Sequence, residues 1–205
     1  MKLLSGLIYK YIYMKKLYYI ILCSILFPLT QIGIVQEKSF IKWKGTKSNG
    51  SYHDGLIAVN NSMLNIDRNN ILIDGEIIID MNSIICSDIE NEEGNHSLVS
   101  HLKNDDFFST TKFPTALLKI KKVTIIKDND YKINGDLTIK DQTHPIEFIA
   151  NIMVEENMGL ASGKIEIDRA KYNIKYKSKS WYPDIGDMFI NDIFELYFNL
   201  LAVKK

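Results

Sequence analysis

Arginine is nearly missing from this chain: Arg68 and Arg169 are the two that occur in 205 residues. Bidentate recognition of phosphates and of guanine edges relies on the guanidinium fork, so a base-reading role has little to work with. No excess of charge compensates, because Lys plus Arg and Asp plus Glu each total 25 and the formal net charge is zero. That balance leaves no field to draw in nucleic acid or an anionic membrane. Cysteine is equally scarce, with Cys23 and Cys86 alone. Cys23 lies in an apolar N-terminal segment and follows Leu22, where a lipid-acylated cysteine would want a small residue. With that segment set aside Cys86 has no partner, so the domain must be held by its core rather than by an internal disulfide. Its apolar neighbours Ile84 and Ile85 describe a buried thiol rather than a reactive one.

Signatures of catalysis are lacking as well. There is no Gly-x-Ser-x-Gly elbow, no P-loop and no dinucleotide fingerprint. Four histidines, His53, His96, His101 and His144, show no ligand spacing; His96 and His101 stand five apart rather than four, and no carboxylate completes an HExxH-like relation. Asp105 and Asp106 are adjacent carboxylates, but they end a helical segment, where they cap or solvate a turn. The chain is therefore expected to carry no catalytic residue, no metal and no resident cofactor.

What is present begins at the N-terminus. Met14-Lys15-Lys16 is followed by "LYYIILCSILFPL", thirteen residues without a charge. This is a positive n-region and an h-region of signal-peptide length, too short and too Pro-interrupted for a membrane span, and Met14 reads as a start. The following "TQIGIVQ" offers Thr30 or Gly33 for cleavage but no Ala-x-Ala pattern. An uncleaved anchor, giving membrane contact through the N-terminus, is the alternative. The expected division is a signal peptide or hydrophobic anchor over 1–36 and one domain over 37–205, exported to the periplasm or secreted.

From Ser39 onward the dominant period is two, the pattern of strands with one buried and one wet face. In "ILIDGEIIIDM" the inward set is Ile71, Ile73, Gly75, Ile77, Ile79 and Met81. Ile133, Gly135, Leu137 and Ile139 alternate in the same way, as do Ile146, Phe148, Ala150, Ile152 and Val154. The last strand places Phe194, Leu196, Phe198, Leu200 and Ala202 on one face. Further strands are expected at 39–47, 53–66, 114–127, 160–169 and 171–178. Turn chemistry separates them at Asn60-Asn61-Ser62, Asp67 to Asn70, Lys127 to Asp130, Asp141 to Thr143 and Glu155 to Gly159. Connections this short make neighbours antiparallel.

Eight or nine such strands with one helical interruption read as an all-β up-and-down barrel or a sandwich. A barrel of eight strands is just wide enough to be filled by side chains or to hold one small ligand. Small inner residues, among them Gly75, Gly135, Ala150, Ala161, Gly163 and Ala202, mark either internal volume or strand bends. Trp43 and Trp181 read as core.

Two local features bear on a site. Leu98, Val99 and Leu102 form one apolar stripe on a short helix, with Asn95 or Ser97 as N-cap, followed by Phe107-Phe108 and a Phe113-Pro114 break. So short a helix must lie on something apolar, and in a barrel its place is across an open end. Arg169 continues the inward set Ala161, Gly163, Ile165 and Ile167; if it keeps register its guanidinium needs a carboxylate or a ligand headgroup, and if the strand ends there it reaches solvent.

The ordered segments "WKGTKSNGSYHDGLI", "GEIIIDMNSI", "HLKNDDFFSTTKFPTALLKI", "INGDLTIKDQTHPIEF", "ASGKIEIDRAKYNIKY" and "NDIFELYFNL" resemble the YceI family from about Ser39 to Val203. The His-Leu-Lys-x-x-Asp-Phe-Phe run followed by Phe-Pro is the most specific part. The resemblance implies a lipocalin-like extended antiparallel barrel with an elongated apolar pocket for isoprenoid or other long-chain lipids. It implies no catalytic residues. Asp141 and Asn173 stand where the family pattern usually has Gly, and both tolerate positive φ.

The sequence thus points to non-catalytic binding of a long apolar lipid, a polyisoprenoid or isoprenoid quinone, by a monomer or homodimer. Leu102, Phe107, Phe108, Phe148, Phe194 and Phe198 are the candidate lining; Arg169 and His53 are candidates for headgroup contact. The alternatives are an interaction module with a filled barrel and an enzyme that uses the cavity.

Overall fold

The computed structural model describes residues 29–204. Of the leader or anchor expected over 1–36, residues 1–28 lie outside the described residues. Ten strands, every pair of neighbours antiparallel, form one sheet closed on itself. They are β1 (Thr30–Ile34), β2 (Phe40–Lys47), β3 (Tyr52–Val59), β4 (Met63–Ile66), β5 (Leu72–Cys86), β6 (Thr115–Lys127), β7 (Asp130–Ile139), β8 (Gln142–Glu155), β9 (Met158–Asp168) and β10 (Ile190–Lys204), with α1 (Glu92–Lys103) between β5 and β6.

The barrel has eight staves. β5 to β10 supply six of them, each pairing with the next, and β10 closes on β2. The other two staves are each made of two short strands. β3 and β4 both pair with β5, Gly55–Val59 against Cys86–Ile79 and Met63–Ile66 against Glu76–Leu72. β1 and β2 both pair with β10, at Lys204–Ala202 and Asn199–Ile190. The strand expected over 53–66 is this broken stave, kinked at the Asn60–Ser62 turn. The folded part also starts before position 37, since β1 is hydrogen-bonded on both sides, to β4 and to β10.

Alternation places the core as expected in β7, β8 and β10, with Ile133, Leu137, Ile139, Ala150, Ile152, Phe198, Leu200 and Ala202 buried. It breaks twice in β5. Ile73 is 37% exposed while Leu72 is 6% exposed, because the pairing steps from Asn65↔Asp74 to Ile66↔Leu72 and leaves Ile73 as an extra residue in a bulge. The inward parity is therefore even at Leu72, odd from Gly75 to Met81, and even again at Ile84 and Cys86, where the pairing with β3 steps from Ala58↔Asp80 to Leu56↔Ile85. Gly75 sits just after the bulge at φ +152°, and a Cβ there would fall 2.6 Å from the Met63 carbonyl oxygen, so it serves the bend. Gly163 makes room for a ring instead: a Cβ would lie 2.7 Å from Phe198 Cζ.

Two further expectations are corrected. The segment 171–178 is not a strand: after β9 the chain makes a 3₁₀ turn over Arg169–Tyr172 and continues irregularly. Asp168 caps that turn by accepting from the Ala170 N–H, and Asn173 ends it in the left-handed region at φ 57°. The positive φ of the β7–β8 turn falls on Lys140, not on Asp141. Secondly, α1 starts earlier than Asn95 or Ser97 would place it. Asn91 is the N-cap, its side chain accepting from the Gly94 N–H at 2.8 Å, whereas Asn95 donates to the carbonyls of Cys86 and Ile89 and ties the helix to the end of β5.

Candidate functional site

The barrel interior is not filled. Two apolar lobes follow one another inside it, of about 140 Å³ at the α1 end and about 110 Å³ at the far end. Ile41, Ile79, Leu137, Ile167 and Leu196 line both, so they form a waist between the lobes. Roughly 10–15 Å³ on this measure holds a water, but a buried water needs two to four polar partners. The far lobe offers none from its side chains: its wall is Ile, Leu, Val, Ala, Gly and Phe. Water there would forgo its hydrogen bonds, so the lobe is suited to hydrocarbon.

All eight residues singled out from the sequence line this chamber. Leu102, Phe107, Phe108, Phe194, His53 and Arg169 face the α1-side lobe; Phe148 and Phe198 face the far lobe. Phe148 and Phe198 meet edge to face, ring centroids 5.9 Å apart. The helix lies over the α1-end lobe as its apolar stripe requires, with Leu98 and Leu102 turned into it. Phe107, 7% exposed, sits against Tyr176 and His101, centroids 5.8 and 5.2 Å away. Phe108 is half-buried against the same core. The Phe pair thus caps one lobe of an open chamber.

Arg169 remains inside, only 2% exposed. Its Nε donates to the Asn191 carbonyl, Nη1 to those of Ile174 and Tyr176, and Nη2 to that of Ile190, at 2.8–3.1 Å. Nη2 also lies 3.3 Å from Asp192 Oδ1, an ion-pair contact off the hydrogen-bond direction. The carboxylate that the sequence pattern asks for is therefore Asp192. These contacts explain the irregular start of β10, where the pairing with β2 steps from Ile190↔Lys47 to Phe194↔Gly45. Two β10 carbonyls, of Ile190 and Asn191, and two from the irregular run before it point at one guanidinium. Burial would push the Asp192 carboxyl up, but the Ser178 and Ser180 groups and the Arg169 charge outweigh it and hold it below the usual range.

His53 sits at the lip of the same lobe. Its Nδ1 is 2.9 Å from Asp88 Oδ2 and its Nε2 is 3.2 Å from Lys47 Nζ. Burial raises the Asp88 carboxyl, yet hydrogen bonds from the Asp54 N–H, His53 and Cys86 leave it net lowered. Burial, followed by the hydrogen bond to Asp88, pushes the Cys86 thiol up, so it is unsuited to act as a nucleophile. His96 and His101 lie on α1, and His144 bonds the Lys171 carbonyl; among the described residues no group of three or more His, Cys, Asp or Glu could hold a metal.

Sequence reasoning did not single out the waist or Lys47. Both were visible in the strand parity, since Ile41, Trp43, Gly45 and Lys47 share one face of β2. Trp43 is buried in the lining, its indole N–H donating to the Ile85 carbonyl. Trp181 is not core: it is 41% exposed and carries Lys175 Nζ 3.9 Å over its ring.

This arrangement defines a class: closed lipocalin-like antiparallel barrels built around an apolar chamber. Within it, the chain belongs to the YceI-like domain family, whose model matches residues 33–202. A UPF0312 protein of Shewanella denitrificans is 31% identical over 80 residues, 39% of this chain and 38% of that protein. The chain thus matches about two-fifths of that relative's length. Among solved structures, Burkholderia cenocepacia BcnA superposes with a TM-score of 0.65 at 17% identity, covering 83% of this chain and 99% of BcnA. A polyisoprenoid binding domain from Saccharophagus degradans, implicated in plant cell wall breakdown, gives 0.63 at 13% identity, covering 87% and 100%. The Campylobacter jejuni YCEI protein gives 0.56 at 20% identity, covering 71% and 81%. At these identities the likeness is one of fold.

Proposed function

We propose that this protein binds a long apolar lipid, of the polyisoprenoid or isoprenoid quinone class, inside the barrel and without chemistry. The observation that carries the reading is the two-lobed chamber whose far lobe has no polar side chain in its wall. Each methylene moved from water into such a wall contributes about 0.8 kcal/mol, so a long tail gains affinity with few specific contacts. The Saccharophagus degradans neighbour, described as polyisoprenoid-binding, supports the same ligand class. A soluble carrier or reservoir of a membrane lipid suits an exported protein, in keeping with the charged start and apolar run around Met14 to Leu29.

Native mass spectrometry of the purified protein tests this. The expected result is a co-purifying apolar lipid, or stoichiometric uptake of added polyprenols. A protein that carries none and takes up none overturns the reading.

A further inference from the structure

The run after β9, "KYNIKYKSK" from Lys171 to Lys179, holds four lysines and no acid. Burial alternates along it: Tyr172, Ile174 and Ser178 are buried, whereas Lys171, Lys175 and Lys179 are exposed and Lys177 is half-buried. The period of two survives here without a ladder, and it sets the four lysines on the side turned away from the core. Among the described residues none of the four forms an ion pair. Their neighbours are rings instead. Lys175 Nζ lies 3.9 Å over Trp181, Lys179 Nζ 5.0 Å over Phe189 and Lys177 Nζ 5.6 Å over Tyr176. A ring orients a cation without cancelling its charge. Lys140 adjoins the row, its Nζ donating to the Asn173 carbonyl at 3.4 Å. Burial, helped by the charges of Lys112 and Lys175, outweighs Asp141 and Asp105 and lowers its ammonium.

The same loop carries exposed apolar surface. Trp181 and Tyr182 follow the lysine run and are exposed, and Met188, 75% exposed, is the most exposed large apolar side chain among the described residues. Amphipathic rings, a bare thioether and lysines on long apolar stems are all accommodated in the headgroup region of a bilayer. A nucleic acid would satisfy the lysines but not Met188.

Placement adds to this. Tyr176 meets His101, in the last turn of α1, and Phe107, with centroids 4.3 and 5.8 Å apart. Towards the other end of the loop the Phe189 carbonyl accepts from the Ser48 N–H, in the turn after β2, at 3.0 Å. The loop therefore runs across the mouth of the chamber beside α1. The acids Glu92 and Glu93 stand in the first turn of α1, roughly 13 Å along the helix from His101, beyond the screening length of about 8 Å at physiological salt. Although the whole chain is neutral, the far end holds Asp67, Asp128, Asp130, Glu155 and Glu156 against Arg68, Lys127 and Lys204. An anionic surface thus attracts the lysine run and repels the opposite end.

We infer that this loop is a docking surface for an anionic lipid bilayer. The lysine row meets the headgroups, Trp181, Tyr182 and Met188 enter the interface, and the α1-end mouth of the chamber comes to rest on the membrane. Docking itself does not depend on what the chamber holds; that lipid is exchanged through the seated mouth rests on the reading proposed above.

The test titrates the purified protein with vesicles of phosphatidylglycerol and phosphatidylcholine in equal amounts, and with phosphatidylcholine alone, read by co-sedimentation and tryptophan emission. Trp43 is buried and Trp181 exposed, so a blue shift reports Trp181. The expected result is binding to the anionic vesicles with a blue shift, weakened by high salt. Lys171→Gln, Lys175→Gln, Lys177→Gln and Lys179→Gln made together should weaken it by about fivefold per lysine. The same charge change on β6, Lys119→Gln, Lys121→Gln, Lys122→Gln and Lys127→Gln, should leave it within about twofold. Met188→Ser should weaken it severalfold without moving the urea midpoint. No binding to anionic vesicles, binding without a blue shift, or equal loss in the loop and β6 variants overturns the docking surface. None of these outcomes touches the chamber reading, which native mass spectrometry decides separately.

Discussion

A single buried guanidinium organises one end of this barrel. Arg169 serves the carbonyls of Ile174 and Tyr176, in the irregular run after β9, and of Ile190 and Asn191, at the irregular start of β10. Arg169→Met would leave those carbonyls without their donor, and Asp192 without its counter-ion, in a dry environment. A loss of about 3–5 kcal/mol is expected, the range for removing one partner from a buried charge network, read as a lowered urea midpoint at unchanged slope. Arg169→Lys should recover little of it, since three N–H groups on one nitrogen cannot reach four carbonyls spread around a plane. Asp192, like Asp88 at the other side of the lip, contributes a dependence on pH. Its carboxyl lies below the usual value when folded, so the stability it contributes is fully present above the unfolded value of about 3.9 and is lost as pH falls through the folded one. Urea midpoints measured from pH 6 to 3 should hold down to about pH 5 and then drop, and Asp192→Asn should flatten the drop. A steeper fall in the variant would contradict this assignment.

Among the elements, β1 has the largest structural consequence for its length. Five residues close the far lobe between β4 and β10, with Ile32 and Ile34 in its wall. Beginning the chain at Val35 would expose the edges at Met63–Ile66 and Ala202–Lys204 and remove the buried Ile32 from the core. At about 1.5–3 kcal/mol for one buried isoleucine, plus the lost ladder, a fall of several kcal/mol is expected, together with concentration-dependent association through the open edges. Denaturation and light scattering of the shortened chain check both. A leader cut at Gly33 would have the same effect, whereas one before Thr30 would spare the sheet. Element boundaries of this kind explain what the sequence made legible. In β7, β8 and β10 one face is apolar and the period is unbroken, so inward residues such as Ile133, Phe148 and Phe198 can be assigned by counting. In β5 the Ile73 bulge resets the count without any local signal beyond Gly75. After Asp168 a strand-like run, "KYNIKY", is turned aside because its carbonyls are claimed by Arg169, a residue whose partners lie as far as 22 positions away in sequence.

At the scale of the whole barrel, the waist makes the chamber a measuring device. Ile41, Ile79, Leu137, Ile167 and Leu196 are contributed by five different staves, β2, β5, β7, β9 and β10, so the constriction is held by the closed sheet rather than by one mobile side chain. A chain entering under α1 fills the first lobe, passes the waist and then fills the second. Affinity should therefore climb with chain length while carbons are being buried, by about fourfold per methylene at about 0.8 kcal/mol each, and level off once the far lobe is full. A series of prenols of increasing length, ranked by dissociation constant or by the ligand-induced rise in melting temperature, should show that break. Leu137→Phe adds bulk at the waist and should move the break to shorter chains, with little change for prenols that fit the first lobe. If the break stays at the same length in Leu137→Phe, the two lobes are not filled in series, and the chain enters the far lobe from the β1 end instead.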